Sequence, residues 1–386
     1  MNNDLKRNIF LDYLFRILCN FAFADGIFVL YLRNKGLALW QIGVLEGIFH
    51  ATSLVTEIPS GALADLFGRR RAMLASRLCA VISSVIMLST DKMQLLGIGF
   101  VFTAWSFNLL SGSEEALLYD SFLGAGQEDQ YFKTNGRLSF VAEVSNGLGI
   151  FLGGFLAKYS YTLCYLILIA IETLSFTVCL FLTEPKTGNN GKNRGKKAEV
   201  SVRSHFIQSF YLLKENGRLR YVLFHYAVLF AFFVSIYFYS QEYYYARGFD
   251  EGQIGLLLLG VAGCSSIGAL LSEKAAKRFC GRTCDVMGIV LALGIILMSA
   301  ESNWLSVPGF GLSAMANASL YPVQSDELNR LIPSGQRATV LSVGSMCYSV
   351  VMILLFPLIG LLADYLGLGR IFLLLGICLP VICLRR

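Results

Sequence analysis

The sequence predicts an all-α membrane protein of twelve transmembrane helices arranged as two six-helix halves. Three observations carry that prediction: the composition, the division of the chain into apolar runs, and a polar segment at its midpoint. Of 386 residues, 55% are hydrophobic and only 15% charged, whereas a soluble domain carries about 25% charged residues. One crossing takes roughly 20 apolar residues, so about twelve crossings with short connections use up the chain. A sizeable soluble domain is excluded.

Backbone amides in hydrocarbon must be satisfied within their own segment, so the apolar runs are read as helices. The first half is expected to cross at 8–32, 39–64, 72–90, 95–119, 137–158 and 161–183, and the second at 219–245, 252–275, 284–301, 304–327, 338–363 and 369–384. No small-residue cleavage site follows the first apolar run, so that segment is expected to be retained. Between the halves lies TEPKTGNNGKNRGKKAEVSVRSH, rich in Gly, Asn and Lys, which is too polar to pack and is expected to be a flexible linker. The expected organisation is an N-terminal bundle over 1–184, a basic cytoplasmic linker over 185–204, and an amphipathic segment plus C-terminal bundle over 205–386. In the amphipathic segment Phe206, Ile207, Phe210 and Leu213 share a helical face with Gln208 and Lys214 off it, the pattern of a helix lying on the membrane surface.

The net charge of +6 comes from basic residues in short runs between apolar stretches. They form no nucleic-acid-binding stripe, and no nucleic-acid partner is expected. They do report orientation, because Lys and Arg are retained on the cytoplasmic side. Placing the amino terminus in the cytoplasm collects 24 of them there and leaves 6 outside, with Arg16 and Arg77 inside spans. Both termini are therefore expected in the cytoplasm. Most of the ten cysteines lie in apolar runs and none forms a CxxC pair, so they are read as small packing residues. His50, His205 and His225 are far apart, with no HExxH, Walker loop or GxSxG. Neither an enzyme nor an ATP-driven pump is expected, and no metal or cofactor.

The halves echo each other, as in transporters built from repeats. Gly36 precedes Gln41-Ile42-Gly43 by the same five residues that separate Gly248 from Gln253-Ile254-Gly255, and GFLAKY ending at Tyr159 returns as GLLADY ending at Tyr365. The QIG triplets also lie at nearly equal distances from Gly68-Arg69 and Gly281-Arg282. Their common order favours duplication.

Between the second and third spans stands Gly61-Ala-Leu63-Ala-Asp65-Leu-Phe-Gly68-Arg69-Arg70-Arg71. This resembles the signature of the major facilitator superfamily, GxLaDrxGrkxx, at the expected place, and the six-plus-six layout extends the resemblance over the whole chain. Gly61 suits close helix contact, Gly68 a tight turn, and the arginines hold the loop in the cytoplasm. The resemblance implies that Asp65 faces the amino terminus of the eleventh helix and that Arg69 pairs with an acid at the end of the fourth, Glu115 or Asp120, as a latch between halves. An ordinary basic turn set by topology is the alternative. In the fifth span Gly149-Ile150-Phe151-Leu152-Gly153-Gly154 resembles the GPxxGG motif of the drug:proton antiporter branch, with Ile150 at the proline position, although small residues there also serve plain packing. In the fourth span Ser111-Gly112-Ser-Glu-Glu-Ala116 fits the end of RxxqGxgaA, with Asn108 in place of its arginine.

Charges within a bilayer are costly, so each is either functional or tolerably paired. Asp25 and Glu46 are expected at one depth, and Glu46, His50, Ser53 and Glu57 share a helical face. An apolar site disfavours the charged form of a carboxyl, so Asp25 and Glu46, with His50, are the proton-coupling candidates; Glu46 and His50 pairing across one turn is the other reading. Glu172, in mid-span, suits a structural hydrogen bond, Asp12 and Arg16 suit a pair, and Glu143 falls toward an inner gate. Asn20, Trp105, Asn108, Phe233, Tyr237, Gln241, Asn317 and Tyr321 are the substrate-cavity candidates. The resulting expectation is a monomeric transporter in a bacterial inner membrane, exporting amphipathic or cationic small molecules in exchange for protons. Sugar or metabolite symport or uniport is the alternative, and a membrane sensor would require an added soluble domain.

Overall fold

The computed structural model describes residues 3–184, 214, 216–279, 282–332 and 337–384. The expected linker over 185–204, the amphipathic face at Phe206, Ile207, Phe210 and Leu213, and His205 and Gly281 lie outside the described residues. Those described form no strand. Their helices are α1 (Asn3–Cys19), α2 (Phe28–Asn34), α3 (Leu39–Phe67), α4 (Arg69–Ser89), α5 (Met93–Leu110), α6 (Ser113–Gly124), α7 (Tyr131–Ala157) and α8 (Tyr161–Phe181). The second half contributes α9 (Gly217–Tyr245), α10 (Glu251–Phe279), α11 (Thr283–Met298), α12 (Asn303–Leu331), α13 (Arg337–Leu366) and α14 (Leu368–Leu384). Grouping α1 with α2 and α5 with α6 yields the twelve spans.

Those two groupings correct the sequence reading. The first span is not one helix over 8–32: α1 ends at Cys19, residues 20–27 are irregular apart from a 3-10 turn at Asp25–Ile27, and α2 resumes at Phe28. The fourth is broken at Ser111–Gly112, where Gly112 takes a left-handed φ of 71°. Hydropathy cannot register either break, because both stretches remain apolar enough for a bilayer.

The chain forms two compact units, each described by itself. The first comprises Met1–Gly36, Ile48–Lys197 and Asp250–Gly255, and the second Leu37–Gly47, Ala198–Phe249 and Leu256–Arg386. In the first unit Phe15, Met73, Leu117 and Val178 form a buried cluster joining α1, α4, α6 and α8. In the second, glycine and serine let backbones meet: a Cβ on Gly294 of α11 would lie 2.6 Å from the Ser313 nitrogen of α12. Without a hydrophobic drive between helices in lipid, close packing of this kind supplies the cohesion.

The beginnings of α3 and α10 cluster with the opposite half of the sequence. Gly36 and Gly248 precede them with φ of 86° and 88°, a left-handed turn that glycine adopts without steric cost. The repeated glycines thus build the same turn twice.

Candidate functional site

In the first unit two of the candidate residues, Asn20 and Asp25, lie in the break of the first span. The irregular backbone needs room that a side chain would fill. A Cβ on Gly149 of α7 would stand 2.6 Å from the Ala22 nitrogen, and one on Gly153 would stand 1.8 Å from the Phe23 oxygen. The glycine motif of the fifth span is therefore the cradle of the unwound segment. Ile150, at the position of the family proline, is buried, and its side chain touches the place a Gly26 Cβ would take. Asp25 lies in this break with an exposed side chain. Asn20, at its start, donates to the Arg16 carbonyl at 2.9 Å.

Below the break runs a chain of buried charges. Asp12 and Arg16 of α1, 1% and 6% exposed, approach to 3.6 Å. Arg16 also pairs with Glu114 of α6 and donates to Asn135 of α7 at 3.2 Å. Arg77 of α4 pairs with Glu172 of α8 at 3.0 Å and donates to Ser76 and Ser106 at 3.0 Å. Arg77 and Glu172 lie too far apart in the sequence for spacing to pair them. Sequence spacing does not distinguish Glu114 from Glu115 and Asp120, the acids expected to matter at this end of the fourth span. The helix break at Gly112 is what restarts the helix so that Glu114 faces α1.

Asn108 of α5 joins two spans. Its amide donates to the Ser53 carbonyl at 2.9 Å and the Thr56 hydroxyl at 2.8 Å, and its oxygen accepts from the Ser53 hydroxyl at 2.9 Å. The polar face of α3 is thus engaged by the residue that stands where the family pattern has arginine. His50, buried on the same face, meets Phe49 edge-on. Trp105, one turn before Asn108, is partly exposed and packs edge-on to Phe102.

At the signature turn, Gly68 has φ of 99° and Arg69 begins α4. The Glu184 carboxylate accepts from the Arg69 and Arg70 backbone N–H groups at 2.8 and 2.9 Å, a fit of negative charge to a helix amino terminus. Glu184 follows the sixth span and carries no motif, so only the fold brings it here. Glu115 is exposed and Asp120 half-buried; Gly61 is exposed with open space at its Cβ. The side chain of Asp65 lies outside the described residues.

In the second unit α9 presents an aromatic ladder. The Tyr239 hydroxyl donates to the Phe356 carbonyl at 3.0 Å, Tyr243 to that of Met298 at 2.6 Å, and Tyr244 to that of Ser306 at 3.1 Å. Tyr237 stands between Phe233 and Phe310, with ring centroids 6.2 and 6.1 Å away, and Gln241 is buried one turn on. On α12 the Asn317 Oδ1 is buried and has no hydrogen-bond partner among the described residues, while Tyr321 is 70% exposed beside Phe230. Glu46 is half-buried. Tyr239 was not singled out by its sequence, since an aromatic in an apolar run looks like any other.

The repeated motifs meet one another. In the first unit Lys158 of GFLAKY pairs with Asp250 at 3.0 Å, Tyr161 donates to Glu251 at 2.8 Å, and a Cβ on Gly154 would lie 2.9 Å from the Gly255 Cα. In the second, Asp364 of GLLADY accepts from the first amides of α3, and a Cβ on Gly43 would lie 2.5 Å from the Phe356 oxygen. Asp250, outside the spans, is held below the ordinary carboxylate value of 3.8 by the Gln253 amide and then by Lys158, whose ammonium is held higher by the same pairing. Among the described residues no group of three or more His, Cys, Asp or Glu is placed to hold a metal ion.

A family model described as Major Facilitator Superfamily matches residues 10–355. The chain is 21% identical over 368 residues to YxaM of Bacillus subtilis (strain 168), an uncharacterized MFS-type transporter, covering 92% of this chain and 88% of that one. It is 19% identical over 390 residues to the MFS-type transporter MJ1560 of Methanocaldococcus jannaschii, covering 95% and 94%. Among solved structures it resembles a bacterial homolog of the human lysosomal transporter Spinster, inward-facing and occupied, with TM-score 0.74, 15% identity and coverage of 98% and 94%. The nucleoside transporter NupG aligns with TM-score 0.73 and 11% identity over 99% and 98% of the two chains. A D-xylose-proton symporter aligns with TM-score 0.68 and 13% identity over 99% and 96%. At these identities the structural likeness concerns the fold alone.

Proposed function

The chain belongs to the major facilitator superfamily and is a multi-pass membrane transporter, and from that premise we propose that it exports amphipathic or cationic small molecules in exchange for protons. The observation that carries this reading is the break in the first span. Interrupted transmembrane helices place unwound backbone and polar side chains at mid-membrane, where transporters bind substrate and coupling ions. Here the break holds an exposed carboxyl, Asp25, beneath a glycine cradle. Asp25 is the proton carrier in this reading, Glu46 the charge that meets a cation, and His50, one turn along α3 from Glu46, the third coupling candidate. Phe233, Tyr237, Gln241, Asn317 and Tyr321, with Asn20, Trp105 and Asn108, supply the surfaces that meet substrate. Asp65, Arg69, Arg70, Glu115 and Asp120, with the turn made by Gly61 and Gly68, form the cytoplasmic gate. The transporter works as a monomer in a bacterial inner membrane with both termini in the cytoplasm.

The test is transport in inverted vesicles under an imposed pH gradient, with a panel of cationic dyes and sugars. Asp25→Asn imitates the protonated form, so pH-driven export should stop while downhill exchange persists. Glu46→Gln should weaken cations and spare neutral compounds, because only cations lose a charge partner. Undiminished proton-driven export by the double variant would reject both roles. Asn108 and Ile150, at the places of the family's arginine and proline, favour the second reading, sugar or metabolite symport or uniport; proton-linked uptake of a sugar in the same panel would select it.

A further inference from the structure

The second unit contains an apolar cleft among α10, α11 and α12. In the second half of α10, a Cβ on Gly268 would lie 2.1 Å from the Met315 oxygen of α12, and the Ser319 hydroxyl donates to the Gly268 carbonyl at 2.8 Å. Beside this tight crossing a cavity of about 330 Å³ lies among residues of α10, α11 and α12. That volume is at the lower end of the roughly 300–1,000 Å³ range of ligand pockets. Leu271, Phe279, Met287, Val290 and Met315 make its lining apolar, and Lys274 and Arg278 stand among the lining residues.

The placement of these two cations is informative. They are four residues apart, on one face of α10, and both are exposed. Among the described residues neither meets a carboxylate, whereas Lys277 between them is taken by Glu273 at 2.6 Å. Lys274 lies about 35 Å along the helix from its first residue at 1.5 Å per residue, beyond a hydrocarbon core of roughly 30 Å. The cations therefore stand at headgroup level and the apolar cleft extends toward acyl-chain level. The lining holds no carboxylate that would welcome an ammonium headgroup.

We propose that this cleft between α10, α11 and α12 binds an anionic glycerophospholipid, with one acyl chain in the cleft and the phosphate on Lys274 and Arg278. Basic pockets between transmembrane helices recognise such headgroups, and each Lys or Arg near an anionic surface adds a several-fold preference. The inference goes beyond the transport reading and does not depend on its substrate.

The test uses the full chain, purified in mild detergent, with retained lipid counted by native mass spectrometry after exposure to equal phosphatidylglycerol and phosphatidylcholine. The wild type should retain phosphatidylglycerol selectively. Lys274→Gln with Arg278→Gln should lower that selectivity about tenfold or more, while Lys277→Gln, which removes the same charge beside the cleft, should leave it unchanged. Ala275→Phe keeps both cations and fills the cleft, so it should also release the lipid, and it tests the site should the double variant fold poorly. Competition separates a lipid site from a plain phosphate site: short-chain phosphatidylglycerol should displace the bound lipid and glycerol phosphate should not. Equal retention of both lipids, equal loss in the Lys277 variant, displacement by glycerol phosphate, or full retention in the Ala275 variant would each overturn the proposal.

Discussion

The Trp40 backbone N–H donates to the Asp364 carboxylate at 2.9 Å across 324 residues of sequence. The Leu39 N–H donates to the other oxygen at 3.1 Å, so one side chain at the end of the eleventh span caps the helix of the second. The matching position in the first half is Lys158, which reaches the eighth span through Asp250. The duplicated segments make the same connection with different chemistry: a carboxylate caps the helix directly in one half, and a lysine engages the capping aspartate in the other.

Loss of the direct cap should be measurable. Asp364→Ala leaves two amides at the start of α3 without their acceptor and should cost about 1 kcal/mol, read as a lower thermal unfolding midpoint of the purified protein. Asp364→Asn, which retains an acceptor, should recover part of it. An unchanged midpoint in the alanine variant would show that the cap contributes nothing.

The connection through Lys158 should carry a pH signature. Asp250 is held below its ordinary value in the fold, so the stabilisation it gives is fully present above about pH 4 and is lost as pH falls through its depressed value. Lys158 is held above its ordinary value, so its share is present below about pH 10 and lost as pH rises past it. Unfolding midpoints of wild type and Asp250→Asn should therefore differ at neutral pH and converge only as pH falls below the depressed Asp250 value. A constant difference would refute the linkage.

The glycine cradle should tolerate nothing larger. Gly153→Ala places a Cβ 1.8 Å from the Phe23 oxygen and should destabilise by about 1–3 kcal/mol or more, as overpacking does. Gly136→Ala, on the same helix with open space around it, is the control and should be neutral or slightly stabilising. Folded yield and unfolding midpoint distinguish them; equal behaviour would mean that the break is not held by α7.

The buried pair should show the asymmetry of charges in a poorly solvating interior. Arg77→Ala strands Glu172, while Ser76 keeps its hydrogen bond to Ser106, and should cost about 3–5 kcal/mol. Arg77→Met with Glu172→Leu removes both charges and should be closer to wild type in stability. A double variant as unstable as the single one would show that the pair itself, and not the stranded charge, sets the cost.

Asn108→Ala should loosen the contact between α5 and α3 by removing bonds to Ser53 and Thr56. A net loss of about 1–3 kcal/mol is expected because buried partners are left unsatisfied, with a matching fall in transport. Full stability would assign those bonds no net weight.

The sequence by itself determined the family, the number of crossings and the repeat, since each rests on local composition and spacing: apolar length, the glycine-arginine turn after the second span, and paired QIG and G-x-L-A-x-Y segments. The tertiary structure alone decided where helices stop inside the membrane and which charges meet. Residues 20–27 and Ser111–Gly112 remain apolar enough for a bilayer, so hydropathy passes over them, and the first break depends on space left by Gly149 and Gly153 on another helix. Glu114 finds Arg16, Glu172 finds Arg77 and Glu184 finds the amides of Arg69 and Arg70 through contacts between segments far apart in the chain. A carboxylate in an apolar run announces that it needs a partner, because an uncompensated charge there costs too much. Which partner it has is set by the packing of helices.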